Sequence, residues 1–418
     1  MSQIEPEPPP LLRQPEFMKL WSAQAISQLG DQVTLLALPL VAVLTLDASA
    51  AQMGLLTAAE LMPHLLFSLF AGVWIERRSH RRKLMIAADI ARAGLLASVP
   101  LAAAFDVLTF PQLYAVAFAV GSFAVLFDIS WATLFPAVVP RRDLVDASSK
   151  LSLSRSLSFV LGPSLAGFLV QALTAPVTLL VDAFSYVGSA LFLGRIRTHE
   201  PSPERDGNGV LRSLRDGMQF VLRDDLIRAD LGCAATVNLF NFVFAAIFIL
   251  YATRELGVAP GTLGIALGLG AIGGILGALI APPLERAIGI GPSVVLGSVL
   301  FPAPLVLVPI ASGSELRIGV MLGTAEFFSA VGVMIFDVSA ASMLFLRTPD
   351  RIRARTAGTF RFVNYGIRPI GALLGGALGT AIGLQTTLWI GVLGALLGVV
   401  WLVFSPIPRL REAPAEAV

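Results

Sequence analysis

The sequence predicts an all-helical membrane protein made of two similar six-helix bundles, and three observations support this fold class. Of the 418 residues, 56% are hydrophobic and only 14% are charged, whereas charged residues make up about a quarter of water-soluble domains. The apolar runs are long enough for helices of about 20 residues, and they lack the alternation of a membrane β-barrel. The second half of the chain also repeats the first half in order.

The repeat includes ionisable residues, which are costly to keep inside apolar segments. The segment from Phe127 to Ser130 returns as Phe336 to Ser339, and Gly162 returns as Gly371, each 209 positions later. A duplication that keeps such residues is typical of membrane transporters with two pseudo-symmetric halves.

Hydropathy and loop residues divide the chain into predicted elements. A polar, proline-rich stretch through residue 15 predicts a disordered tail and not a cleavable signal peptide. Twelve predicted membrane spans follow, at residues 17–46, 51–75, 84–104, 111–138, 144–172, 176–194, 226–252, 261–284, 292–312, 316–346, 356–382 and 386–404. The predicted domains are the tail 1–15, an N-terminal bundle 16–195, a linker 196–225, a C-terminal bundle 226–405 and a second tail 406–418.

The linker contains an amphipathic pattern. Apolar residues between Leu211 and Leu222 recur at helical spacing opposite charged residues between Arg212 and Arg223. Such a helix either lies in the membrane interface or covers the bundle as a solvated helix.

The positive charges predict the orientation of the spans. Most of the 30 Lys and Arg residues fall on the side of the membrane that carries both termini, and the opposite side has only Arg254 and Arg317. Because cytoplasmic loops retain positive charge, both termini are expected in the cytoplasm.

Composition also excludes several classes of function. The single cysteine, Cys233, excludes an internal disulfide and a cysteine-rich metal site. The net charge of +2 follows from the asymmetry between the two sides and gives no reason to expect a nucleic-acid partner. Motifs for ATP hydrolysis, dinucleotide binding, zinc hydrolysis or a serine nucleophile are absent from the sequence. We therefore expect a protein that is not an enzyme and that needs no metal or organic cofactor, with an ion gradient as its energy source.

The loop from Gly72 to Arg82 reads GVWIERRSHRR. It resembles the signature loop of the major facilitator superfamily, with three departures: Glu76 replaces the usual Asp, Ser79 replaces the usual Gly, and His80 stands where Arg is common. The resemblance implies a monomeric secondary transporter with twelve helices, the fold of that superfamily, and a small-molecule substrate.

Less specific motifs resemble the drug and siderophore efflux branch, which includes macrolide and enterobactin exporters. They are Gln28 to Asp31 in span 1, Phe127 to Pro140 in span 4, and Gly162-Pro163 with Gly167 in span 5. This resemblance implies export across the bacterial inner membrane.

The superfamily resemblance also implies a cytoplasmic gate of charged residues around the signature loop. Carried over by motif, it comprises Gly72, Glu76, Arg77, Arg81 and Asp128, with Glu285, Arg286 and Asp337 as a partial second copy. Arginine can bridge two acids, so the cluster would hold the cytoplasmic side shut. The alternative is a positive-inside anchor without a switching role.

Asp31 is the first candidate for proton coupling, because it lies near the middle of span 1. Gln24, Gln28 and Thr34 recur with it at three- and four-residue intervals, which places all four on one helix face towards a central cavity. Burial makes the charged form of a carboxylate costly, so such a group can exchange a proton.

Two further acids, Glu60 and Glu326, are the next proton-coupling candidates. Any of the three acids can instead form a buried ion pair with an arginine of span 5 or span 11.

Polar stripes on spans 5, 7 and 11 are candidates for the substrate cavity. They contain Arg155, Asn238, Asn241, Arg361, Asn364 and Arg368. The arginines either bind an anionic substrate or neutralise the buried acids.

Other polar and small residues are assigned structural roles. Asp89 and Arg92 are spaced for a local pair near the cytoplasmic surface, and Asp182 has no evident partner in the sequence. His64 has no second His at metal-ligand spacing and is interpreted as a hydrogen-bonded structural residue.

Small residues and one proline mark helix contacts. Gly162, Gly167 and Gly371 permit close packing or sliding of helices, and Pro163 predicts a bend.

Three other functions stay open at this stage. A lysophospholipid flippase or a facilitator that needs no protons would have the same twelve spans. A membrane receptor without transport is a third possibility, although it leaves the repeated charges unexplained.

Overall fold

The computed structural model describes residues 11–76, 80–197 and 210–411, without the side chains of residues 68–76, 210–216, 350, 351 and 354. Nearly all of the described chain is helical. The first half forms α1 (Pro15–Leu44), α2 (Ala50–Glu76), α3 (Arg81–Ala104), α4 (Phe110–Val138), α5 (Leu144–Ala172) and α6 (Ala175–Gly194). After α7 (Val210–Arg223), the second half forms α8 (Asp225–Arg254), α9 (Pro260–Ile288), α10 (Ile290–Leu300), α11 (Glu315–Arg347), α12 (Asp350–Ile382), α13 (Leu384–Leu396) and α14 (Val399–Val403).

Ten helical segments among the described residues are long and apolar enough to cross a membrane. The two other long helices, α2 and α12, occupy the places of predicted spans 2 and 11. Two spans are interrupted: α10 passes into the 3-10 helix Ala303–Leu307, and α13 is separated from α14 at Gly398. The first interruption has a local cause, because Pro302 and Pro304 lack the backbone N–H that an α-helix needs.

The ordered chain extends beyond the predicted bundles at both ends. Leu11 is buried against Phe17, Val139 and Ala147, so the predicted disordered tail reaches less far than residue 15. At the other end Ile407 is buried in the core of the second half. Apolar contacts therefore hold both ends of the described chain against the bundles.

The linker helix α7 packs on the second half. Val221 is buried against Ile227 and Leu231 of α8, with Phe360 of α12 beside them. Gly217 lies so close to α12 that a Cβ there would meet the Thr359 side chain. This packing favours the alternative in which α7 covers the bundle.

The two sides of the bundle differ in how the halves meet. We call the side where α1 begins and α12 begins the terminal side, and the other the far side. On the far side one apolar core joins both halves, including Met53 of α2, Ala166 of α5, Ile247 of α8 and Leu263 of α9. Towards the terminal side each half has a core of its own. Among the described side chains, the halves therefore share a core on the far side and have separate cores towards the terminal side.

Small residues permit the far-side contact. A Cβ at Gly376 of α12 would lie 2.9 Å from Cα of Gly54 in α2, and a Cβ at Gly167 of α5 would lie 3.1 Å from Cα of Gly264 in α9. Gly376 is the repeat equivalent of Gly167, so the two contacts are related by the internal symmetry. The predicted packing role of Gly167 thus places it between the halves.

Candidate functional site: a polar cavity in each half

The first half contains a polar cavity of about 460 Å³ on its inner wall. Its lining includes Gln24, Gln28 and Asp31 of α1, Asp128 of α4, and Ser152 and Arg155 of α5. A helix rises about 1.5 Å per residue, so Asp31 lies about 24 Å from the start of α1 at Pro15, in the middle of a 30-residue helix. The structure thus brings most of the residues predicted from α1 to one mid-helix cavity.

Asp31 is held by two groups from other helices. The hydroxyl of Tyr186 in α6 donates to Oδ1 of Asp31 at 2.6 Å, and Nη1 of Arg92 in α3 lies 3.8 Å from the same oxygen. The Asp31 side chain is still 42% exposed, because its other face borders the cavity. This carboxylate is therefore both anchored and accessible, as a proton-exchanging group must be.

Arg92 is the centre of this network and is almost completely buried. It forms an ion pair with Asp89, one turn earlier on α3, and its guanidinium carbon lies 4.1 Å from the ring centroid of Tyr186 and 4.8 Å from that of Phe127. An arginine that bridges two acids and stacks on aromatic rings is strongly fixed. The predicted Asp89–Arg92 pair is present, and Asp89 is fully buried between helices, eight residues or about 12 Å after the start of α3 at Arg81.

Asp182 has partners, contrary to the prediction from the sequence. It accepts hydrogen bonds from Oγ1 of Thr34 and, at 2.8 Å, from Oγ of Ser185. Gly30 makes room for them, because a Cβ there would collide with Asp182 and Ser185. The expected cavity role of Thr34 changes accordingly: its hydroxyl is engaged with Asp182, and only 7% of the residue is exposed.

Sequence reasoning missed Tyr186 and undervalued Arg92 and Asp182. The available signal was helical spacing. Intervals of three and four residues place Asp182, Ser185, Tyr186 and Ser189 on one face of α6. Polar residues repeated along one face of a membrane helix predict a polar neighbour there.

A second, smaller cavity of about 230 Å³ continues from Asp31 towards α2. Glu60 and His64 of α2 line it together with Arg92. The imidazole of His64 stacks on the Tyr365 ring of α12, with centroids 5.6 Å apart. His64, which was assigned a structural role, therefore lies at a contact between the halves.

The second half contains a larger cavity of about 830 Å³. Its polar lining comprises Asp230, Asn238 and Asn241 of α8, Asp337 of α11, and Arg361, Asn364 and Arg368 of α12. Nε of Arg368 donates to Oδ1 of Asn238 at 3.0 Å, and Nδ2 of Asn238 lies 3.4 Å from Oδ1 of Asn364. The structure thus brings together all five cavity candidates predicted in the second half.

Asp230 is a buried acid that the sequence reading did not single out. It is 3% exposed and lines the larger cavity, and its Oδ1 has no hydrogen-bond partner among the described residues. The available signal was its four-residue spacing from Ala234 and Asn238 on α8.

Glu326 is separate from these networks. Its Cβ lies beside Gly270 of α9, at 3.2 Å from where a Cβ of that glycine would stand. Glu326 is not in the lining of any of the three cavities described above. The structure therefore groups Asp31 with Glu60 and leaves Glu326 apart.

The predicted gate is only partly within the described residues. Arg77 lies outside them, and the side chains of Gly72 and Glu76 are not described. Arg81 is buried at the start of α3. Near the terminal end of α9, Glu285 is half-buried and Arg286 is exposed.

The two aspartates assigned to the gate line the cavities of the two halves. Asp128 lies ten residues before Val138, the end of α4, and Asp337 ten residues before Arg347, the end of α11, which is about 15 Å from the terminal side in each case. Both are exposed to the cavities. Because the side chain of Glu76 and all of Arg77 lie outside the described part of the chain, the assignment of the two aspartates to the gate stays a prediction.

The remaining packing candidates lie at helix contacts. A Cβ at Gly162 would lie 3.1 Å from Cγ of Gln32 in α1, and a Cβ at Gly371 would lie 3.0 Å from Cβ of Phe242 in α8. The backbone of Pro163 lies against Gly264 of α9. Each of these residues lies at a contact between two helices.

Comparison with known proteins identifies the family. Residues 8–417 match the transmembrane secretion effector family of the major facilitator superfamily. The chain belongs to this family. As a member of this superfamily it is a multi-pass membrane transporter, and the family resemblance predicted from the loop and the repeat is confirmed.

Relatives and solved structures agree with this family. The chain is 28% identical over 411 residues to the multidrug efflux pump Tap of Mycolicibacterium fortuitum, covering 92% of this chain and 93% of that protein. A bacterial homologue of the iron transporter ferroportin in an inward-facing state has a TM-score of 0.76 at 17% identity, over 94% of this chain and 99% of that chain. A mutant of the nucleoside transporter NupG has a TM-score of 0.74 at 14% identity, over 93% and 98% of the two chains. At these identities the structural matches establish the superfamily fold.

Proposed function

We propose that this transporter exports hydrophobic or amphiphilic small molecules, of the drug class, from the bacterial cytoplasm in exchange for protons. The observation that carries the proposal is the Asp31 carboxylate, which faces the cavity on one side and contacts Arg92 and Tyr186 on the other. The similarity to a multidrug efflux pump over nearly the whole chain supports the substrate class.

The proposal includes the membrane topology predicted above. α2 and α12 cross the membrane with the ten apolar segments, which gives twelve spans in bundles 16–195 and 226–405 joined by the linker 196–225. The terminal side, rich in Lys and Arg, faces the cytoplasm of the cell, and the transporter works as a monomer in the inner membrane.

Alternating access fits the two kinds of contact between the halves. The shared far-side core closes one side, while the cavities extend towards the terminal side, where the halves have separate cores. This arrangement corresponds to an inward-facing state. Rocking of the two halves about the cavities would open the far side and expose the same groups to the periplasm.

The proton step follows from the electrostatics of Asp31. A charged Asp31 is attracted to Arg92, which also forms an ion pair with Asp89. Protonation of Asp31 removes that attraction but leaves Arg92 paired with Asp89, so the network tolerates both states. A proton gained from the periplasm and released to the cytoplasm would drive export of one substrate in the opposite direction.

A siderophore remains the second substrate candidate because Arg155 and Arg361 are exposed in the cavities. Both guanidinium groups are available for carboxylate or catecholate oxygens.

Asp31→Asn is the test of proton coupling. In proteoliposomes containing the purified full chain, ethidium transport driven by a pH gradient should fall at least tenfold in this variant. Asp106→Asn is the matched control, because Asp106 is an exposed loop acid that asparagine can replace in its left-handed conformation. Transport that survives both Asp31→Asn and collapse of the gradient would refute proton exchange and favour a facilitator.

A further inference from the structure

The two halves meet along α2 and α12, and most of this contact uses small residues. Towards the far side, Gly54 of α2 lies against Gly376 of α12, and Ala58 packs with Ala372. Small residues let two helices approach closely, but they do not fix one side chain against another. Further along the same helices, His64 of α2 meets Tyr365 of α12, and this contact is of a different kind.

The rings of His64 and Tyr365 are stacked. Their centroids are 5.6 Å apart and their planes differ by 11°, and aromatic rings at about 4.5–7 Å attract each other. His64 follows Ala50, the start of α2, by fourteen residues, which is about 21 Å along a 27-residue helix. The stack therefore joins the two halves near the middle of α2.

Each ring also borders a polar cavity. His64 lines the smaller cavity of the first half with Asp31, and Tyr365 lines the larger cavity of the second half. The guanidinium carbon of Arg368 lies 4.6 Å from the centroid of the Tyr365 ring, and Nε of Arg368 donates to Asn238. Because Tyr365 is held from within its own half, a movement of α2 away from α12 must separate the two rings.

The stack also contains a destabilising feature. Nδ1 of His64 is buried and has no hydrogen-bond partner among the described residues. A buried polar atom without a partner destabilises the conformation that buries it, and water that enters between separated halves would satisfy it. Attraction between the rings and the unsatisfied nitrogen oppose each other at one residue. Opposing contributions of this kind keep two conformations close in free energy.

We propose that the stack of His64 on Tyr365 is the contact that sets how often the far side opens. His64 is then a positioning residue: its ring holds the halves together, and its unpaired nitrogen limits how strongly it does so. The inference rests on the alternating access proposed above, but it requires no particular substrate and no bound proton.

A distance measurement between the halves tests the proposal. Phe105, just after α3, and Leu316, in the first turn of α11, are exposed residues at the far side of the two halves. Nitroxide labels would be attached to Phe105→Cys and Leu316→Cys in the full chain, with the native cysteine removed by Cys233→Ser. Double electron–electron resonance in lipid nanodiscs, without substrate or pH gradient, then gives the fraction of molecules whose far side is open.

Two substitutions at position 64 should act in opposite directions. His64→Ala removes the ring and should raise the open fraction at least threefold, as should Tyr365→Leu. His64→Phe keeps the ring, removes the unpaired nitrogen and should lower the open fraction at least twofold. A side chain that only fills space at this position would shift the open fraction in one direction in both variants.

Two further variants serve as controls. Phe67 lies on α2 like His64, but its ring contacts Phe118 of α4 in the same half, at a centroid distance of 6.1 Å. Phe67→Ala removes an aromatic pair that does not join the halves, so it should leave the open fraction unchanged. Tyr365→Phe keeps the stacked ring and should leave it unchanged as well.

Three results would overturn the inference. They are an unchanged open fraction in both His64→Ala and Tyr365→Leu, a shift in the same direction by His64→Ala and His64→Phe, and an equal shift by Phe67→Ala. Gradient-independent transport combined with the expected distances would instead refute the proton exchange and leave the stack standing. Proton-coupled transport with unchanged distances would refute the stack alone.

Discussion

The two halves share a scaffold but differ in the chemistry of their cores. At the positions of Asp31, Asp89, Arg92, Asp182 and Tyr186, the second half has Phe240, Ser298, Phe301, Gly391 and Ala395. In the first half α1 meets α6 through Gly30, which admits the hydrogen-bonded Asp182 and Ser185. In the second half α8 meets α13 through the Phe240 ring, which lies on Gly394. The same helix contact is thus polar in one half and apolar in the other.

The retained positions are as informative as the altered ones. Asp128 and Asp337 are repeat equivalents, and both face the cavity of their own half. Arg155, by contrast, corresponds to Asn364, and Arg368 to Phe159. Duplication therefore supplied one cavity acid per half, and divergence assigned a connected charge network to the first half and mostly neutral hydrogen-bond partners to the second.

Removing the central arginine of each half should give the largest difference. Arg92→Met leaves Asp89 buried beside an accessible Asp31 without a cation, which costs about 3–5 kcal/mol for a broken buried pair. Arg368→Met removes the hydrogen bond of the guanidinium to the neutral side chain of Asn238 and should cost about 1.5–3 kcal/mol. Thermal unfolding of the two purified variants measures the order.

The decisive measurement is which of these two variants unfolds at the lower temperature. An Arg368→Met protein that unfolds at a lower temperature than Arg92→Met would contradict the assignment of the charge network to the first half.

A methyl group added at the α1–α6 contact should have the next largest effect. Gly30→Ala places a Cβ against Asp182 and Ser185, and overpacking of this kind costs about 1–3 kcal/mol. Gly94→Ala is the matched control, since no atom lies within 4 Å of a Cβ at that position of α3. The control should be neutral or stabilised by up to about 1 kcal/mol.

Gradient-driven transport separates a packing defect from damage to the polar network. If Gly30→Ala lowers transport no more than Gly94→Ala does, Asp182 and its partners contribute nothing to the transport cycle.

The sequence predicted the helical segments, the repeat and the cavity position of Asp31, because these depend on periodicity along single helices. Contacts between side chains of different helices were harder to predict. The position of Asp182 on α6 does not indicate that Thr34 and Ser185 donate hydrogen bonds to it. The register between α1 and α6 is fixed by the absence of a side chain at Gly30. Family resemblance assigned Asp128 to the gate without its depth, because a motif gives a position in the chain, whereas the helix rise places the residue beside the cavity.

Asp230 marks a further limit of reading single helices. Its neighbours at four-residue spacing are Ala234 and Leu226, so the one polar residue on this face that the sequence offers as a signal is Asn238, eight positions away. Residues of α11 and α12, which are far away in the chain, complete the cavity that it lines.

The smallest effect is expected at the contact between the halves on the far side. Asp47 of the first half forms an ion pair with Arg254 of the second, but the two side chains are 93% and 40% exposed. Exposed pairs contribute about 0.2–1 kcal/mol, so Asp47→Asn should change the unfolding free energy by no more than this. The apolar core and the glycine contacts hold the far side closed without it. Chemical unfolding of the purified variant measures the change, and a loss well above 1 kcal/mol would mean that charge, rather than apolar packing, joins the halves on this side.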